Sequence, residues 1–198
     1  MYIIPGCAVC DLEALIHAEV VMEQATFLQQ LQTEQDAWEA FLATVPVAWQ
    51  TTAGACGKWS VRDVVGHVAA WERYVTAMVR AESRKTPATP HEIWGEFVPP
   101  STLADDALNE WMAAQLAQRS FPELLAMQRD VRNQLLATVA GLNDYLLTAP
   151  EVTVQGLPWK GEKALWEVIA SMSYTHVREH WDGLALWLQA QSAILCSE

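Results

Sequence analysis

Apolar residues recur at helical spacing along nearly the whole of this 198-residue chain. Phe27, Leu28, Leu31, Trp38, Phe41, Leu42 and Val45 follow the three-, four- and seven-residue intervals of one buried stripe. Only Val152–Val154 looks strand-like, and it is short and has no partner with which to build a sheet. That spacing predicts an all-α protein.

The helices can be placed from their end signals. The first runs from a cap at Asp11 to about Val45, and Pro46 is compatible with its end. Ser60 and Asp63 form a capping signature that opens a second helix over 60–83. Thr102 and Asp105 open a side helix. Ser120, with Pro122 tolerated in the first turn and Glu123 completing the cap, opens a third long helix to about 142. The last helix is read as continuous over 162–191. Residues 86–100, with four prolines, and residues 148–161 are read as long connections. The simplest packing is a four-helix bundle with an additional short helix and long connections, not a plain up-down-up-down one. Residues 1–21 read as an N-terminal extension of helix one, and 22–192 as the bundle domain. Met22 is an alternative start.

Composition narrows the function classes. Hydrophobic residues make up 52% of the chain and charged ones 18%, which excludes a disordered protein. Twelve basic against 24 acidic residues give a formal charge of −12. Phosphate-neutralising contacts need the opposite balance, so neither nucleic acid nor an anionic membrane surface is an expected partner. No apolar run reaches the length of a membrane helix. Cys7 and Cys10 form a lone C-x-x-C with no second pair to complete a zinc site. The expected setting is the cytoplasm, with reduced thiols.

The chemistry concentrates in histidines. His176 and His180 lie one turn apart on the apolar face of the last helix, with Leu165, Ile169, Met172, Ser173, Leu184 and Trp187. His67 shares the apolar face of the second helix with Val64, Trp71, Tyr74 and Met78. Three of five histidines thus point at one core, from two helices. Facing helices in a bundle are a usual place for a metal site. The alternative is three separate core histidines, each hydrogen-bonded to a neighbour.

The stretch at 57–74, with Trp59-Ser60-Val61, then Asp63-Val64-Val65, then His67 and Trp71-Glu72, resembles the second helix of the DinB-like (DinB/YfiT) superfamily. The stretch at 173–188, with His176 and His180 followed by Trp187-Leu188, is similar to that family's last helix. Residues 109–147 are similar to its third-helix region, and the likeness covers roughly 22–190. The resemblance implies a four-helix bundle holding a divalent metal through His67, His176 and His180. It also implies transferases and isomerases that use a low-molecular-weight thiol, and a branch that protects its host against a reactive natural product. A homodimer is expected by the same analogy.

Three neutral imidazoles leave a coordination position open for water or a thiol, which either way yields a nucleophile at neutral pH. Zinc and nickel both suit such ligands. The expected substrate is an electrophilic small molecule. The second reading is a binding or self-protection protein without turnover, and the third is an interaction protein that dimerises through an apolar helix face. Trp59, Trp71 and Tyr74 are candidate pocket residues, each with a packing role as its alternative. Glu72, Glu179 and Asp182 are read as solvated helix faces. Arg62 and Arg178 are read as surface salt bridges, and His17 and His91 as solvent-facing.

Overall fold

The computed structural model describes residues 22–103, 105–148 and 163–195. The expected extension over 1–21, with Cys7, Cys10, Asp11 and His17, and the strand-like Val152–Val154 lie outside those residues. Among the described residues there is no strand. Four long helices form the bundle: α1 (Gln24–Ala43), α2 (Val61–Arg84), α5 (Phe121–Ala140) and α8 (Tyr174–Leu195). Shorter helices join them: α3 (Pro90–Trp94), α4 (Asp105–Leu116), α6 (Asp144–Thr148) and α7 (Leu165–Ser171). The fold is the expected helical bundle, with α4 as its side helix.

Two of the helix starts follow from their caps. The Ser60 hydroxyl takes the Asp63 backbone N–H while the Asp63 carboxylate takes the Ser60 N–H, so two otherwise unpaired donors at the start of α2 are satisfied. Ser120 and Glu123 do the same for α5, with Pro122 in its first turn.

The structure departs from the sequence reading in two places that matter for the site. The proline-rich connection over 86–100 contains α3, which starts on a capping box between Thr89 and Glu92 with Pro90 in its first turn. The last helix is not continuous. At Met172 and Ser173 the backbone tightens: the Met172 N–H is shared between the Val168 and Ile169 carbonyls, and the Ser173 N–H reaches Ala170 at 3.2 Å. The Ser173 hydroxyl donates to the Ile169 carbonyl at 2.7 Å, a side-chain bond of the kind that bends helices. The chain then restarts as α8, which carries both distal histidines.

Helix α2 is the centre of the packing, lying along α5 and touching α3, α4 and α8. Gly66 lets it come close: a Cβ there would stand 3.1 Å from a Leu116 methyl and 3.4 Å from Leu124. The core falls into two apolar clusters. One gathers Phe27, Leu31, Val75, Val79, Leu135 and Ile169, and the other Trp38, Leu42, Val64, Val68, Leu124 and Leu184.

A polar band crosses the interior between them. Glu72 and Thr76 on α2 face this band with Gln128 and Arg132 on α5, all buried. Glu72 is therefore not on a solvated face, as its charge suggested; it is wholly buried and ion-paired to Arg132. Arg132 also donates to the Leu31 carbonyl at 3.4 Å, and the Trp38 indole N–H to Gln128 at 3.2 Å. Burial lowers the Arg132 guanidinium to about 10, against the pull of the Glu34 and Glu39 carboxylates, so it stays charged at neutral pH.

Candidate metal centre

The cap at Ser60 fixes where α2 begins, and His67 falls two turns into it on the buried side. The break at Met172–Ser173 fixes where α8 begins, and His176 and His180 lie in its first two turns. The structure brings these three together. His67 Nε2 is 2.9 Å from His176 Nε2, and His180 Nε2 is 3.2 Å from the same atom. All three ligand atoms lie within 4.8 Å of one another. Nitrogens at about 2.0–2.1 Å from a tetrahedral ion are roughly 3.3 Å apart, so this spacing suits shared coordination with little movement.

The electrostatics point the same way. Burial, then the neighbouring His176 and His180, pushes His67 down to about 3. Burial and His180 push His176 down to about 4. Burial also lowers His180, with Glu179 pulling weakly the other way. All three rings are neutral at pH 7 and carry a free lone pair. Hydrogen bonding alone uses this cluster poorly, because an imidazole nitrogen either donates or accepts. His67 Nδ1 is also buried with no partner among the described residues. The donor set fits a divalent ion of borderline softness, such as zinc or nickel.

The rings are set in an aromatic shell. Trp59 lies 4.8 Å from His67, ring centre to ring centre, and Trp71 lies 6.5 Å away on its other flank. Tyr74 and Trp71 both pack on Trp94 of α3, at 5.4 and 6.2 Å. The Trp71 indole N–H is held by Asn109 of α4 at 3.0 Å. Burial raises the Tyr74 hydroxyl, which keeps its proton.

One neighbour was missed in the sequence. The Cys56 thiol stands 3.5 Å from His180 Nδ1, on the nitrogen that faces away from the cluster. Burial raises Cys56, so it is a neutral thiol that can orient the His180 ring. A single cysteine in a loop has no spacing signal; its place is set by the short Cys56–Trp59 turn. Other expectations hold: Glu179, Asp182 and His91 are exposed, and Arg178 pairs with Glu34. Arg62 does pair with Asp63, but not at the surface: the pair is mostly buried, and Arg62 also donates to the Ala117 carbonyl at 3.0 Å.

Three solved structures share the fold. An uncharacterised protein from Escherichia coli UTI89 superposes with a TM-score of 0.66 at 16% identity, over 86% of this chain and 95% of that one. The colibactin self-resistance protein ClbS, solved in complex with double-stranded DNA, gives 0.63 at 13% identity, over 84% and 95%. A Streptococcus pneumoniae protein gives 0.63 at 10%, over 85% and 91%. No curated protein matches the chain. The family model described as the DinB superfamily matches residues 27–183, the stretch that holds all three histidines. With that match spanning most of its length, the chain belongs to the DinB superfamily.

Proposed function

We propose that the protein is a metal-dependent enzyme that activates a low-molecular-weight thiol or water to attack an electrophilic small molecule. The observation that carries this reading is the convergence of three neutral imidazole nitrogens, 2.9 and 3.2 Å apart, inside an aromatic shell. A bound zinc or nickel ion would supply Lewis acidity at its open position. The chain's own groups do the rest. His67, His176 and His180 would hold the ion, the Cys56 thiol orients His180, and Trp59 and Trp71 shield the buried side from water.

The test is metal analysis of purified protein beside single and triple histidine-to-alanine variants. Near-stoichiometric metal in the wild type and its loss in each variant support the reading; stoichiometric metal in the triple variant overturns it. Consumption of a thiol by a model electrophile, abolished in His176→Ala, supports catalysis.

A second reading is a self-protection protein that binds its ligand without turnover. It is favoured by the fold shared with a colibactin self-resistance protein. It predicts saturable ligand binding with no thiol consumed. That neighbour's complex with double-stranded DNA also leaves the net charge of −12 as the sole reason for setting nucleic acid aside. A salt-dependent shift of duplex DNA by the protein would remove that reason. The homodimer belongs to this proposal too, and a main species of twice the chain mass in sedimentation supports it.

A further inference from the structure

We infer a second binding site, separate from the histidine cluster, that takes a small apolar monoanion such as an aryl carboxylate. It is a cleft of about 340 Å³ between α2, α3 with the segment after it, α4 and α5. Ile93, Trp94, Phe97, Trp111, Met112 and Met127 give it an apolar, largely aromatic wall. Arg73 of α2 supplies its charge.

Arg73 differs from every other described arginine. Arg62, Arg84, Arg119, Arg129, Arg132 and Arg178 each pair with a carboxylate, and Arg80 is bonded to Gln134 and Thr138. Arg73 has no hydrogen bond or ion pair among the described residues, although it is only partly exposed. Its guanidinium lies against the backbone of Gly95, where φ is +69° and a Cβ would sit 2.3 Å from Nη1. The left-handed backbone favours glycine there, and its missing side chain leaves the flexible fork room against the backbone. The acidic residue that also lines the cleft, Glu96, is already paired to Arg119, which stands over the Phe97 ring. The cleft therefore offers one uncompensated cation beside an aromatic surface.

That combination selects its ligand. A planar guanidinium fork matches a carboxylate with two parallel hydrogen bonds, and partial desolvation strengthens them. One free cation suits one negative charge, and the aromatic wall takes a flat apolar body. Trp94 of the cleft packs on Trp71, which in turn flanks His67, and none of the three clustered imidazoles lines the cleft. Binding here and metal binding there can each fail without the other.

The experiment is calorimetric titration of the full chain with naphthoate and with the uncharged naphthamide. The expected result is saturable one-to-one naphthoate binding, with the amide at least tenfold weaker. Arg73→Met should weaken naphthoate about tenfold or more while leaving the amide and the metal content unchanged. Arg73→Lys, which keeps the charge and loses the fork, should fall between. Trp111→Ala should weaken both ligands. Thermal melts establish that each variant is folded. Absence of saturable naphthoate binding, equal binding of acid and amide, or wild-type affinity in folded Arg73→Met overturns the inference.

Discussion

Glu72 and Arg132 show how much a single residue's surroundings matter. A buried ion pair is costly to break from one side, because the remaining charge is stranded in a medium that cannot solvate it. Arg132→Met alone should cost about 3–5 kcal/mol. Adding Glu72→Leu should recover most of that loss, because the stranded carboxylate is then gone. Urea denaturation of both variants beside wild type checks this, and equal destabilisation by the single and double changes would contradict it. At this scale spacing alone put the three histidines on two apolar faces aimed at one core, where the structure brings them together; their role as a ligand set came from the family resemblance. Glu72 was not legible. Its charge reads as a surface feature until its partner, 60 positions away, is known.

Elements, in turn, set the heights at which those residues meet. The hydroxyl of Ser60, itself buried, both caps α2 and fixes its first residue. Ser60→Ala should cost about 1 kcal/mol. Gly66 sets how close α2 comes to α4 and α5. Gly66→Leu should cost about 1–3 kcal/mol by overpacking against Leu116 and Leu124, and should also lower metal occupancy through its neighbour His67. Thermal melts and metal analysis together read both effects. Helix starts marked by Ser or Thr with an acidic residue three positions on were visible in the sequence. The same Thr89–Glu92 signal for α3 was also present, but four prolines drew the reading toward a loop. The break at Met172–Ser173 carries no such mark. The apolar spacing runs through it, and it shows only in the backbone, where the Met172 and Ser173 N–H groups turn to carbonyls three residues back.

Over the whole molecule, acid stability follows from carboxylates held charged and histidines held neutral by the fold. Burial works against ionisation of Asp63, but hydrogen bonds from Ser60 and Arg62 outweigh it. Burial likewise opposes ionisation of Glu39, and bonds from Arg129 and Gln35 outweigh it. Both groups lie below the usual carboxylate range. A lowered folded value means that the unfolded chain binds more protons, so this stability is present above about pH 4 and is lost as pH falls through the lowered values. Denaturant midpoints taken down from about pH 7 should begin to decline near pH 6.5, where histidines of the unfolded chain protonate and buried His67 and His176 do not, and should fall further below about pH 4, the part that Asp63→Asn should flatten. A midpoint that rises on acidification would contradict the assignment.

The polar band has one more consequence, for alignment. Were the interior lined with Leu and Val alone, α2 could slide along α5 by one turn, about 5.4 Å, and still bury oily surface. Such slippage would part the Glu72 carboxylate from the Arg132 guanidinium inside hydrocarbon, so the pair works as an index mark for the register of the two rods. Five positions up the chain, that mark sets the level at which His67 meets the imidazoles of α8. The Glu72→Leu, Arg132→Met double variant should then stay folded yet lose uniformity in metal uptake, stability surviving where alignment does not.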